Sequence, residues 1–186
     1  MTATRTRSAR RSLLLLAAAA VGLPHRAAWP QPPALDAPNV VPISPRLVTS
    51  GQPSAEALAR LAATGFGAVI YLAPPDVPGA VHDEAAIVGR QGLAYVNIPI
   101  KFNQPTDADF ESFVAAMARL GERKVLVHCQ VNMRASSMVF LYRVIVGREA
   151  PEAAYESVAR VWSPEDPWKA LIVGQLRRHG IAFDPY

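Results

Sequence analysis

Apolar positions follow two different spacings along the chain after residue 45. Runs of strand length, dominated by apolar residues as in strands buried inside a parallel sheet, cover residues 67–72, 93–100 and 124–128. Elsewhere apolar residues recur every three or four positions, which predicts helices over residues 54–64, 82–91, 106–120, 135–146, 151–161 and 167–179. This alternation predicts an α/β fold with a central parallel sheet flanked by helices.

Turn and cap residues support several of these boundaries. Thr106 and Asp109 have the spacing of a helix start, and Gly65 is placed to end the helix before it. Residues 45–51 form a short segment of mixed polarity, which favours a strand at the edge of the sheet.

The first 29 residues have the layout of an export signal. A cationic start that includes Arg10 and Arg11 precedes an apolar stretch, Leu13 to Leu23, which is too short to span a bilayer comfortably. The arginine pair is also typical of a twin-arginine signal. We therefore predict a signal peptide over residues 1–29 and a periplasmic or secreted protein, with no membrane attachment after its removal. A single-pass anchor is the alternative.

Composition then divides the rest of the chain in two. Residues 30–45 are rich in proline and predict a linker, and residues 46–186 are predicted to form one catalytic domain. The formal net charge of the whole chain is +4, but five arginines and no acid precede residue 29, so the remainder carries −1. The basic balance therefore belongs to the leader and does not indicate nucleic-acid binding.

Cys129 is the only cysteine, and it directly follows the apolar run 124–128. The loop between a buried parallel strand and the next helix is where such sheets bind ligands, and the free amides of a helix start favour an anion or a thiolate. Arg134, at the start of the next helical pattern, offers a planar pair of donors suited to an oxyanion. A core residue is the alternative for a lone cysteine. We favour a nucleophile, because an exported protein with one unpaired thiol risks oxidation.

These residues carry a resemblance to a known family. His128-Cys129 before Arg134, on a strand, loop and helix, resembles the signature of cysteine-dependent phosphatases of the tyrosine and dual-specificity type. The segment "SGQPSAEALARLAATGFGAVIYL" with "VLVHC" is similar to the bacterial phosphatase-like domain of beta-lactamase-hydrolase-like proteins. The resemblance covers about residues 46–160. It implies a protein tyrosine phosphatase-like fold, no cofactor, and a phosphorylated or other oxyanion substrate.

The same resemblance assigns roles within the loop. Cys129 would attack phosphorus and form a phosphocysteine, and Arg134 would hold the oxyanion. The equatorial oxygens would bind the amides of the four residues between them: Gln130, Val131, Asn132 and Met133.

The loop departs from the family pattern in length and in composition. Four residues separate Cys129 from Arg134 where most such phosphatases have five, and four is the length that rhodanese-type sulfurtransferases use. The usual glycine is absent, and Asn132, which tolerates a left-handed conformation, is expected to replace it. Ala135 follows the arginine where a hydroxyl is usual, which leaves Ser136 as the candidate partner of the thiolate.

The general acid is the part of the family pattern that this sequence matches least. Phe102 occupies the position at which a dual-specificity enzyme would carry its acidic aspartate. Asp107 and Asp76 are the remaining candidates, although a helix-start or turn role is more common for such residues. His128 is expected to be a buried hydrogen-bonding residue. No cluster of His, Cys or Asp has metal-ligand spacing.

Three functions fit this sequence. The preferred one is hydrolysis of phosphoesters by an exported cysteine-dependent phosphatase. The loop length favours a second, sulfur transfer through a persulfide on Cys129. The missing general acid favours a third, a non-catalytic domain that binds an anion or a partner.

Overall fold

The computed structural model describes residues 35–186, which form a five-stranded sheet with helices on both faces. The strands are β1 (Val41–Ser44), β2 (Leu47–Ser50), β3 (Ala68–Tyr71), β4 (Ala94–Asn97) and β5 (Val125–His128). The helices are α1 (Ala55–Leu58), α2 (Glu84–Gly89), α3 (Asp107–Leu120), α4 (Met133–Ile145), α5 (Pro151–Ala159) and α6 (Trp168–Arg178).

The strand order is β1-β2-β5-β3-β4, and the last four of these strands are parallel. The predicted α/β class is confirmed. The edge position predicted for residues 45–51 is wrong, because β1 pairs antiparallel with β2 and covers its open side. Strand β5 lies at the centre of the sheet, so the loop that follows it is surrounded by other strand ends.

The predicted linker is only partly described, and the described part belongs to the domain. Residues 35–45 include β1, so the domain begins before residue 46. Pro38 and Asp36 also accept backbone hydrogen bonds from Gly51 and Ser54, at 2.7 and 3.1 Å. Pro42 is tolerated within β1 because an edge strand leaves one side of its backbone unpaired. The predicted signal peptide lies outside the described residues.

Two apolar layers enclose the sheet. On one face α1 and α2 pack over a small cluster centred on Val69 and Leu126. On the other face α3 to α6 pack over a larger cluster, in which α4 is buried along most of its length. Burying α4 against the sheet fixes the position of its first turn, which carries Arg134.

The helix predicted over residues 54–64 is broken in the middle. Helix α1 ends at Leu58, and a separate 3₁₀ turn covers Ala62–Thr64. The side chain of Gln91 lies in the break, where it donates to the Leu58 carbonyl at 2.8 Å and accepts from the Ala62 amide at 3.1 Å. A side chain that satisfies backbone groups in this way removes the need for a continuous helix.

The helix start predicted at Thr106 is confirmed, and the structure shows a capping box there, in which Thr106 and Asp109 exchange side-chain and backbone hydrogen bonds. Within residues 35–186, every helix is either too short or too polar to cross a bilayer.

Candidate active site

Strand register gathers polar side chains at one edge of the sheet. Ser50, His128, Tyr71 and Asn97 are partners across β2, β5, β3 and β4, and each is the last residue of its strand. Cys129 follows the central member of this row. The carboxyl ends of parallel strands are where such sheets bind ligands, so this edge is the candidate site.

Cys129 lies at the bottom of the site. Cys129 is fully buried, with 0% exposure, and its backbone amide donates to the Ser50 carbonyl at 3.3 Å. Four residues later the 13-residue helix α4 begins, directly after Asn132. The thiol therefore lies in a short loop before the positive end of a buried helix, a position that stabilises a thiolate or an anion.

Arg134, the second residue of α4, is buried with 4% exposure. Its Nε donates to the Ile100 carbonyl at 3.0 Å, and its Nη1 makes a long contact of 3.4 Å with Gln130. Over residues 35–186, no Asp or Glu forms an ion pair with this guanidinium. A buried cation without an acidic partner is costly unless an anion completes it. Because Nε is bound to Ile100 and the contact of Nη1 with Gln130 is long, the two Nη groups are the donors left to bind an anion.

The loop turns at Asn132, as the sequence analysis predicted. Asn132 has φ +74° and ψ −1°, the left-handed conformation expected of a residue that replaces glycine. Its Nδ2 donates to the Asn39 carbonyl at 2.6 Å and to the Thr49 hydroxyl at 3.0 Å. The side chain thus holds the turn against β2 and against the segment before β1.

Gly51 allows the loop to lie directly against the end of β2. A Cβ atom at this position would be 2.7 Å from the Gln130 carbonyl oxygen, a distance that real side chains avoid. Gly51 and Val131 form an isolated antiparallel bridge, and the Gln52 amide donates to the Gln130 carbonyl at 3.0 Å. This close approach explains why a glycine belongs in the "SGQPS" segment.

The remaining predicted loop residues have mixed environments. Val131 is exposed and its carbonyl accepts from Asn39, whereas Gln130 donates from Nε2 to the Pro78 carbonyl at 3.2 Å. The Met133 carbonyl accepts from the hydroxyls of Ser136 and Ser137, at 3.1 and 2.9 Å. A contact of Ser136 with the thiolate therefore stays a prediction.

The two candidate acids have different surroundings. Asp107 accepts from Gln175 and pairs with Arg178, each at 2.8 Å, and the Arg178 hydrogen bond holds the pKa of Asp107 below its ordinary value. This geometry assigns Asp107 to the contact between α3 and α6, since a carboxylate held ionised is a poor proton donor. Asp76 is exposed, on the loop after β3 that Gln130 contacts at Pro78. Of the two, Asp76 is the candidate that we retain.

Phe102 forms an aromatic wall with Trp162 and Trp168. The ring centroids of the two tryptophans lie 5.8 and 5.9 Å from that of Phe102. The guanidinium carbon of Arg134 lies 5.1 Å from the Phe102 centroid, close enough for a cation–π contact. Phe102 is 38% exposed. Where an acid would be expected, the chain therefore presents an apolar ring beside the arginine.

His128 and Tyr71 form the floor under the loop. His128 is buried and hydrogen-bonded, as predicted, and its Nε2 lies 2.6 Å from Oε1 of Glu84. The imidazole stacks on the Tyr71 ring, with centroids 4.8 Å apart. Burial, and next the charge of Glu84, raise the pKa of Tyr71 to about 12. Its hydroxyl therefore keeps its proton at neutral pH and donates it to the Pro74 carbonyl at 3.2 Å.

The sequence analysis did not identify Glu84 or Asn39 as part of the site. Glu84 is the first residue of α2, where an acid is usually read as a helix-dipole partner. Asn39 lies in the proline-rich segment, 93 residues before Asn132 in sequence. Within residues 35–186 the structure brings together no group of three His, Cys, Asp or Glu side chains suited to a metal ion.

The fold and this loop place the chain among the tyrosine-phosphatase-like phosphatases. A model of one family, the DSP-PTPase phosphatase fused to NAD⁺ kinase, matches residues 40–165, and the chain belongs to that family. The resemblance inferred from the sequence is confirmed.

Individual relatives agree with the family. A beta-lactamase hydrolase-like protein of Xylella fastidiosa is 38% identical over 114 residues, which are 59% of this chain. The match spans only 26% of that relative's own length. A DUF442 protein of Shewanella putrefaciens, described as a phosphatase, has a structure with a TM-score of 0.70 and 30% identity, covering 76% of this chain and 91% of its own.

A more distant solved structure shows the same fold. A cysteine-to-serine variant of TpbA from P. aeruginosa, in complex with phosphotyrosine, has a TM-score of 0.53 and 24% identity. The match covers 64% of this chain and 71% of that one.

Proposed function

We propose that this protein hydrolyses phosphate monoesters, with a preference for aryl esters, through a phosphocysteine at Cys129. One observation carries the proposal: the buried guanidinium of Arg134 has no acidic partner among residues 35–186 and lies on the first turn of the helix that follows the Cys129 loop. An oxyanion would complete this arrangement. The TpbA complex supports the class of substrate, because phosphotyrosine is an aryl phosphate bound by a protein of the same fold.

The proposed reaction has two steps. The Cys129 thiolate attacks phosphorus, the bond from phosphorus to the ester oxygen breaks, and the leaving oxygen departs with the bonding electrons. Water then attacks the phosphocysteine, which releases inorganic phosphate and restores the thiolate. In both steps the loop amides and Arg134 would bind the equatorial oxygens as charge develops on them.

The preference for aryl esters follows from the missing acid. A phenolate is a good leaving group and can depart without a proton, whereas an alkoxide needs one. Phe102 cannot supply a proton, and Asp107 is held ionised by Arg178. Asp76 is the carboxyl that the site offers, on the exposed loop beside Gln130.

Steady-state kinetics of the full chain test this proposal. We expect slow release of phosphate from p-nitrophenyl phosphate and nearly none from glycerol phosphate, with both activities abolished in Cys129→Ser. Asp76→Asn should lower any alkyl activity more than the aryl activity. Release of phosphate by Cys129→Ser at the wild-type rate would reject the phosphocysteine.

Intact-mass spectrometry separates the other two functions. We do not favour sulfur transfer, because the family match and the 30% identical structure are both of phosphatase type. Incubation with thiosulfate should leave the mass of the protein unchanged. A gain of one sulfur on Cys129 without phosphate release from any ester would overturn the proposal. Oxyanion binding without either reaction would support a binding domain instead.

We also propose that the protein is exported. The cationic start and the apolar stretch Leu13 to Leu23 support this location. Fractionation of cells that express the full chain should place it outside the cytoplasm, and recovery only from the cytoplasm would contradict export.

A further inference from the structure

A buried chain of polar side chains lies beneath the Cys129 loop and has no part in the proposed reaction. Glu84 is only 2% exposed. Its Oε1 lies 2.6 Å from Nε2 of His128, and its Oε2 accepts from Nε2 of Gln52 at 2.9 Å. We call Gln52, Glu84 and His128 the Glu84 network.

A carboxyl group in this position is costly to keep. Removing a charged or polar group from water is unfavourable unless hydrogen bonds replace those lost, and apolar packing would achieve the same burial more cheaply. Both oxygens of Glu84 have a partner, so the network is satisfied around this side chain. A buried carboxyl group with both oxygens bound is better suited to a role in holding its partners than to filling space.

The two partners of Glu84 lead to the two backbone segments that hold the loop. His128 directly precedes Cys129. The backbone amide of Gln52 donates to the Gln130 carbonyl at 3.0 Å. The Cys129 amide in turn donates to the Ser50 carbonyl, two residues before Gln52. One carboxyl group therefore connects α2 to the end of β5 and to the segment after β2.

The imidazole is held from a second side as well. Its ring stacks on Tyr71 with an interplanar angle of 18°. With one ring nitrogen bound to Glu84 and one face covered, His128 has a single orientation at the point where the loop begins. A shift of Glu84 would move both the ring and the Gln52 segment.

We propose that Glu84 is a positioning residue, which acts through His128 and Gln52 to hold the Cys129 loop in the shape that fits the five-coordinate transition state. The inference rests on the proposed phosphatase function. The loop amides must match three equatorial oxygens more closely in the transition state than in the bound ester. Small displacements should therefore affect kcat more than KM.

The principal variant is Glu84→Gln, which keeps the shape of the side chain and removes the carboxylate. An ionised carboxylate can accept from Nε2 of Gln52 and from Nε2 of His128 at the same time, whereas an amide has one oxygen and can accept only one of these hydrogen bonds. We expect kcat for p-nitrophenyl phosphate to fall about tenfold while KM changes less than about threefold. Glu56→Gln is the matched control, because Glu56 is also in the first turn of a short helix but is exposed.

Inhibitor binding provides a second measurement. Vanadate forms a five-coordinate adduct with a thiolate, whereas sulfate resembles the tetrahedral ground state. Glu84→Gln should therefore weaken vanadate more than sulfate. Equal weakening of both anions, or a kcat no lower than that of Glu56→Gln, would overturn the positioning role.

A compensating variant tests the connection between the residues. In Gln52→Glu/Glu84→Gln, the amide at 84 accepts from His128 and donates to the carboxylate at 52, which restores the pattern of donors and acceptors. We expect this double variant to recover most of the lost kcat, and no recovery would contradict the network. If Glu84→Gln does not fold, Glu84→Asp takes its place, since it keeps the acceptor but shortens its reach. A wild-type kcat in Glu84→Asp would then overturn the inference.

Failure of the proposed function would be recognised separately. If the wild-type protein releases no phosphate from any ester, the rate of Cys129 alkylation by iodoacetamide reports on the loop without turnover. A looser loop should expose the buried thiol, so Glu84→Gln should react several times faster than Glu56→Gln, with less protection by sulfate. Equal rates would reject the role of Glu84 whatever the protein's activity.

Discussion

The left-handed turn at Asn132 leads to a prediction in which glycine is a better replacement than alanine. Asn132 is buried at φ +74° and donates two hydrogen bonds from Nδ2. Both Asn132→Ala and Asn132→Gly remove these bonds, at about 1 kcal/mol each. The left-handed conformation costs alanine about 1–2 kcal/mol more. Glycine avoids that strain, but it makes the unfolded chain more flexible, which lowers the free energy of unfolding by about 0.5–1 kcal/mol.

The free energy of unfolding should therefore fall by about 3–4 kcal/mol in Asn132→Ala and by about 2.5–3 kcal/mol in Asn132→Gly. Urea unfolding of the full chain, followed by circular dichroism, measures both. Asn103, which is exposed and not left-handed, provides the control pair, in which alanine should be at least as stable as glycine. If alanine proves as stable as glycine at position 132, backbone strain does not shape this loop and the reasoning fails.

Two further predictions concern the charged groups. Arg134→Lys keeps the charge but loses the planar fork, so sulfate affinity should fall at least about tenfold while the protein stays folded; unfolding of this variant would instead show a structural role. Arg178 and Gln175 lower the pKa of Asp107 below 3.8, so their contact contributes stability above that pH and loses it as the pH falls through the lowered pKa. Asp107→Asn should accordingly be slightly less stable than wild type at pH 7, because water screens this half-exposed pair, and thermal melting should show the difference shrinking below pH 3.8. A difference that does not change with pH would mean that the charge of Asp107 contributes nothing.

Sequence patterns predicted the parts of the fold whose signals are local. The apolar runs at β3 and β5 and the helix start at Thr106 depend on neighbouring residues, and each was found where the pattern predicted it. The left-handed turn at Asn132 was predictable for the same reason, since few residues other than glycine and asparagine adopt it. Strand β1 escaped prediction because proline at position 42 disguises a strand that tolerates it only at the edge of the sheet.

The site residues that are close together in sequence could be predicted, whereas the contacts between distant segments could not. Cys129 and Arg134 are close in sequence, so their spacing carries information. The contacts of His128 with Glu84, 44 residues away, and of Asn132 with Thr49, 83 residues away, depend on how the strands are ordered in the sheet. No periodicity within a single segment reports that order, and a lone acid at the start of α2 has a common explanation of its own.

The contacts of Asn39 also determine when the site forms during folding. Asn39 donates to the carbonyl of Val131 and accepts from Asn132, and 92 and 93 residues separate it from these partners. Closing so large a loop costs chain entropy that is regained only when the surrounding sheet is in place. The strand cores and α4 can form before that closure, whereas the anion-binding turn cannot reach its final shape until the chain segment before β1 has docked. Assembly of the reactive loop is thus expected to be among the last events of folding, after the hydrophobic core that supports it.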